Sequence, residues 1–179
     1  MSSLPAMNSW PARIRTARLL LRPAESADVK EFTRLCTDPE VRRFLGGPVE
    51  EQKLALYQEH FASRPHLFSV TTRDEAPVIG SVSVDPQSRF DGRREVSYLF
   101  LPEYWGRGYA REAVAAVVDW ALETVSSDNP SVIAVTQEAN VRSCRLLEAI
   151  GMRHIDSFTE FDAPQVMYSV ERQGLRLGL

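Results

Sequence analysis

Leu101-Pro102-Glu103-Tyr104-Trp105-Gly106-Arg107-Gly108-Tyr109-Ala110, followed at once by Arg111-Glu112-Ala113-Val114, is the stretch on which the fold turns. An apolar run ends at Pro102, two glycines two residues apart let the backbone turn sharply, and an apolar helical pattern begins immediately. Exposed peptide N–H groups beside a helix N-terminus, with its partial positive charge, form a cradle suited to a pyrophosphate.

Outward from this loop the period changes. Before it, Leu67 to Thr72, Val78 to Val84 and Glu95 to Leu101 are three β-type runs joined by polar turns, which predicts an antiparallel meander. After it, Ala110, Ala113, Val114, Val117, Ala121 and Leu122 keep a 3.6-residue period, predicting a helix from Gly108 to about Val125. Val132 to Val135 is a fully apolar strand, so strand, helix and strand imply a crossover with parallel pairing, and the loop sits at a carboxyl strand end.

A helix from Asn140 to Ile150, stopped by Gly151, places Ser143, Leu146, Leu147 and Ile150 on one face, with Asn140 one turn earlier. These two polar residues either cap the helix and satisfy nearby backbone or face a ligand. Proximity to the phosphate loop favours the ligand. Met152 to Glu160 and Gln165 to Val170 read as a terminal hairpin. Towards the N-terminus, Arg18 to Pro23 reads as a strand, Ala24 to Cys36 as a helix with Ser26 and Asp28 as cap candidates, and Glu50 to about Ser63 as a second helix.

The 179 residues, 44% hydrophobic, suit one substantial core. The expected domain spans residues 16–170, between loose tails at 1–15 and 171–179, and Met7 is an alternative start to Met1. Net charge is only −3, and Lys30 and Lys53 are the only lysines among 21 basic residues, none gathered into a nucleic-acid-binding block. No apolar run reaches membrane-spanning length and no secretory pattern precedes the domain, so a cytoplasmic, soluble protein is expected, with Cys36 and Cys144 as free thiols. His60, His66 and His154 lack metal-ligand spacing, and no metal is expected.

The Gly106-x-Gly108 spacing also invites a dinucleotide reading, but the loop follows three antiparallel strands, Arg111 replaces the third glycine, and the next strand runs into Thr136-Gln137 rather than an acid. A Walker loop lacks its Gly-Lys-Ser/Thr.

With Trp105 to Ala110, then Asn140-x-x-Ser143 leading to Glu148-Ala149-Ile150-Gly151-Met152, the chain resembles the GNAT acetyltransferases, and within them the ribosomal-protein-alanine N-acetyltransferases (RimJ/RimL-like). Thr16 to Pro23 and Asp38-Pro39-Glu40-Val41 extend the resemblance over about residues 16–170. It implies a single α+β (α/β) domain: a mixed sheet of six to seven strands, flanked by four helices, with splayed parallel strands at the cofactor site. It also implies transfer of an acetyl group from acetyl-CoA, as cosubstrate, to a primary amine.

By the same resemblance, Trp105, Gly106, Arg107, Gly108, Tyr109 and Ala110 would hold the diphosphate, and Phe100 and Leu101 would offer main-chain bonds to pantetheine. Asn140 and Ser143 would face its sulfur, and Arg107, Arg111, Arg142 and Arg145 would add charge near the phosphates. Glu95 is the first candidate base and Glu160 the second. Leu147 stands where many members carry a proton-donating tyrosine, which makes Ser143 the nearest substitute. The acceptor is a protein N-terminus or a small molecule such as an antibiotic, with a homodimer expected by analogy. A catalytically silent acyl-CoA-binding protein is the alternative of another class.

Overall fold

The computed structural model describes residues 10–74 and 77–172. Eight strands form one sheet in the spatial order β1 (Ile14–Arg15), β2 (Leu19–Pro23), β3 (Leu67–Thr72), β4 (Gly80–Asp85), β5 (Arg94–Phe100), β6 (Ser131–Gln137), β8 (Ala163–Glu171) and β7 (Arg153–Glu160). Four α-helices accompany it: α1 (Val29–Thr37), α2 (Glu51–His60), α3 (Tyr109–Thr124) and α4 (Val141–Ala149). The meander is β3-β4-β5, and the terminal hairpin inserts β8, not β7, beside β6.

The eighth strand comes from the stretch expected to be tail, a correction to that expectation. Ile14 and Arg15 pair with Leu21 and Leu20, and Trp10 packs edge-on against Phe68 and Trp120, with centroids 5.0 and 6.2 Å away. A large indole gains more from that buried apolar surface than from water, whatever the polarity of its neighbours. Residues 1–9 and 173–179 lie outside the described residues, and β8 ends at Glu171.

Among the described residues only one junction in the sheet is parallel, and it is short. β5 and β6 each have seven residues, yet they pair only at Arg94 with Val132 and Glu95 with Ile133. On its outer side β5 pairs with β4 from Glu95 to Phe100, and β6 pairs with β8 from Ser131 to Gln137. The strands therefore diverge into a V with bare inner edges. Arg94 pins the vertex: its buried guanidinium donates to the carbonyls of Ala121 and Val125 (both 2.9 Å), Asn129 (3.1 Å) and Ser131 (3.2 Å). That cation also sits at the carbonyl-rich end of α3.

One face of the sheet carries the main core, where Ala113, Val114, Val117, Val118 and Ala121 of α3 pack against Val82, Val84, Val96 and Phe100. Before α1, the expected helix begins as a 3-10 turn, Ser26–Asp28, because the Asp28 carboxylate accepts from the Glu25 N–H (2.9 Å), both Arg22 Nη atoms (2.8 Å) and the Ser69 hydroxyl (2.7 Å).

Candidate active site

The loop predicted from sequence has the backbone that its glycines require. Gly106 and Gly108 sit at φ +75° and +77°, in the left-handed region that side chains disfavour. Gly108 is the N-cap of α3, and no side chain caps the helix there, so the first-turn N–H groups have no intrahelical acceptor and no capping oxygen. The Trp105 indole N–H donates to the Phe100 carbonyl at 2.8 Å, and the Arg142 guanidinium lies 4.4 Å above the Trp105 ring. Loop, strand end and α4 are thereby joined.

Between the diverging strands is a cavity of about 600 Å³, lined on one side by Val96 to Phe100, Trp105 and Ala110, and on the other by Ala134 to Thr136, Asn140 and Ser143. Glu40 to Leu45, in the connection between α1 and α2, complete its wall. Asp38 holds that connection by accepting from the N–H groups of Glu40 and Val41. The Leu101 N–H donates to the Ile79 carbonyl at 2.9 Å, across to the β4 side. Because backbone groups alternate along a strand, the N–H groups of Phe100 and Tyr98 then face β6, where the paired partner is missing. The Leu101 N–H is thereby engaged within the sheet, while Phe100 keeps its N–H and shares its carbonyl with Trp105.

Of the two readings of Asn140 and Ser143, the structure shows the helix cap. Asn140 Oδ1 accepts from the Ser143 N–H at 3.2 Å as a helix cap, and both residues line the cavity. The Ser143 hydroxyl is hydrogen-bonded to the Tyr98 hydroxyl. Burial pushes the Tyr98 phenol up to about 12, against the lowering effect of Ser143. Tyr98 stays protonated throughout the neutral range.

The two candidate carboxylates lie elsewhere, outside the cavity lining. Glu95 is half-buried on the opposite face of β5 from Tyr98, at the closed end of the V. Burial raises its pKa, Arg89 opposes that rise, and Asp85 and Glu160 add to it. Glu160 is held by Arg89 in a two-pronged ion pair, one bond being 2.7 Å, which holds its pKa down. Cys144, on α4, has its thiol pushed up by burial, an environment that suppresses thiolate. Among the described residues no group of three or more His, Cys, Asp or Glu could hold a metal ion, and no helix is long and apolar enough to cross a membrane.

Tyr98 escaped the sequence reading because a tyrosine in an alternating strand looks like ordinary core. Its one available signal was parity, since Val96, Tyr98 and Phe100 share a face that leads straight to the loop.

The profile of the acetyltransferase (GNAT) domain matches residues 18–153. The chain is 29% identical over 144 residues to the uncharacterized N-acetyltransferase YnaD of Bacillus subtilis, covering 78% of this chain and 82% of that one. Spermidine N-acetyltransferase from Vibrio cholerae, solved with CoA and spermine, superposes with a TM-score of 0.73 at 17% identity, covering 87% of this chain and 96% of that one. Ribosomal-protein-S5-alanine acetyltransferase from Vibrio fischeri gives 0.64 at 19% identity, over 91% and 98%. These two neighbours share the fold and differ in the acceptor they name. With the profile spanning most of the chain and the splayed sheet and glycine loop in place, the protein belongs to the GNAT acetyltransferase family.

Proposed function

We propose that this chain moves the acetyl group of acetyl-CoA to a primary amine by direct attack, with a peptide α-amine as the preferred acceptor. The observation that carries the reading is the bare inner edge of β5, running from the uncapped glycine loop to the Tyr98–Ser143 pair. An extended arm with amide groups docks there as an added strand, its diphosphate on the loop and its thioester beside Ser143. Phe100 and Tyr98 N–H groups serve the arm's carbonyls, and Asn140 holds the first turn of α4 in place.

The amine nitrogen bonds to the thioester carbonyl carbon, the carbon–sulfur bond breaks, and the sulfur leaves as thiolate while the nitrogen gives up a proton. Glu95, on the other face of β5 at the closed end of the V, takes that proton through intervening water, and its burial makes it a stronger base than an exposed carboxylate. Tyr98 and Ser143 donate a hydrogen bond to the departing sulfur and keep their own protons: a phenol at about 12 is a far weaker acid than a thiol at about 8.5. Glu160, occupied by Arg89, tunes Glu95 by its charge.

The modest base favours an α-amine. At pH 7.4 about a quarter of an α-amine with pKa ~7.9 is already neutral, against about 0.1% of a lysine side chain at ~10.4. A panel of peptides with free α-amines, polyamines, amino acids and aminoglycosides, assayed with acetyl-CoA for thiol release, tests the reading. Turnover led by peptides supports it, turnover led by another group replaces the acceptor, and CoA binding without any turnover points to the silent protein.

A further inference from the structure

The Thr16-Ala17-Arg18 stretch, which the resemblance includes without giving it a task, lies against the glycine loop. Arg18 Nη1 donates to the Arg107 carbonyl at 2.8 Å, Arg18 Nε to Glu112 Oε2 at 2.7 Å, and the Arg18 N–H to Glu112 Oε1 at 2.8 Å. The Thr16 hydroxyl donates to the same Oε1 at 2.6 Å, and the Arg18 guanidinium lies 4.6 Å from the Tyr109 ring centroid. Glu112 is in the first turn of α3, so the turn between β1 and β2 is fastened to the helix that carries the loop.

We propose that Arg18, oriented by Glu112, is a positioning residue that holds the Arg107–Gly108 peptide so that the Gly108 N–H faces the diphosphate, an inference that rests on the acetyl-CoA reading above. The physical reason is the planar trans peptide, whose C=O and N–H point in opposite directions. Holding the Arg107 carbonyl towards β2 turns the Gly108 N–H away from β2, to the side on which the loop is free. This peptide runs into a left-handed glycine, Gly108, and a second, Gly106, stands one residue before it, so the chain around it has little else to fix its orientation, because glycine crosses between conformations at small cost. Gly108 also gives the guanidinium room, since a Cβ there would stand 3.3 Å from Arg18 Nη2. The fork geometry matters, as one guanidinium reaches the carbonyl and the carboxylate together in a way that a lysine cannot.

Calorimetry with CoA and with pantetheine, which lacks the diphosphate, tests the clamp. The wild type should bind CoA more tightly than pantetheine. Arg18→Ala should cut that preference by about tenfold, the worth of one charge-assisted hydrogen bond, with its pantetheine affinity retained. Arg18→Lys should restore only part of it. Glu112→Gln gives a test by sign: Oε1 keeps its partners as an amide oxygen, but an NH2 group meets Arg18 Nε and releases the guanidinium. If Arg18 and Glu112 acted only through charge, removing a carboxylate beside a diphosphate would tighten CoA; the clamp requires CoA to weaken. A wild type without preference for CoA overturns the diphosphate reading and the clamp with it. A wild-type preference that survives Arg18→Ala, or tighter CoA binding by Glu112→Gln, overturns the clamp alone.

Discussion

The Tyr98 hydroxyl, on β5, meets the Ser143 hydroxyl, on α4, across the open end of the V, although 45 residues separate them in sequence. Neither hydroxyl has a role in holding the strands together, since β5 and β6 are already apart at that level.

Tyr98→Phe keeps the ring and removes only this bond. Losing a hydrogen bond to a developing thiolate should lower kcat by about 10- to 100-fold, with KM for acetyl-CoA little changed. Steady-state kinetics with Tyr98→Phe, Ser143→Ala and the double variant should find the two losses less than additive, because the pair acts as one donor. A rise in KM with normal kcat would reduce the pair to a pantetheine contact.

The acid limb of the pH profile should belong to Glu95. Its pKa lies above 4.5, so kcat/KM should fall as the pH drops through that raised value, and Glu95→Gln should abolish the limb with a loss of about 100-fold. Arg89 opposes the rise by its positive charge, so Arg89→Ala should move the limb to higher pH. A limb that stays in place would remove Glu95 as the base.

Gly80→Ala should damage the strand that carries the site. A Cβ at residue 80 would lie 2.5 Å from Phe100 Cδ1 and 2.6 Å from the Leu99 carbonyl oxygen, and the backbone contact cannot rotate away. Overpacking of this kind costs about 1–3 kcal/mol, so the melting temperature should fall by several degrees. The displaced Phe100 should also raise KM for acetyl-CoA. Unchanged melting would mean that β4 and β5 part more easily than their packing suggests.

Asp28 gives a pH-dependent part of the stability. Burial alone would raise its pKa, but Arg22, the Glu25 N–H and Ser69 outweigh it and hold the carboxyl below 3.8. A lowered folded-state pKa stabilises the protein above 3.8 and loses that effect as the pH falls through the folded value. Asp28→Asn should therefore cost about 3 kcal/mol at neutral pH in urea unfolding, with the gap to wild type narrowing in acid. A gap that stays constant with pH would assign the loss to packing.

What the sequence disclosed followed the range of each signal. The loop, the meander, the parallel crossover and the stripe of α4 were legible because each is assembled from segments of fewer than about twenty consecutive residues, marked by glycine placement or hydrophobic period. Arg18 and Glu112 are 94 residues apart and Arg89 and Glu160 are 71 apart, so neither pair leaves a periodic trace. The same holds for Trp10, whose polar neighbours suggested a tail while its ring had a place against Phe68. The engagement of the Leu101 N–H became visible only with Ile79 beside it. Local order shows in a sequence, and long-range polar pairing does not.

Four carbonyls converging on the Arg94 guanidinium fasten the vertex of the split, so the opening belongs to the fold of the free chain. A carrier molecule arriving there has no strands to pry open and can spend its full complement of backbone bonds on staying in place. Release should follow the same logic in reverse, since departure leaves behind a wedge that keeps its shape for the next arrival.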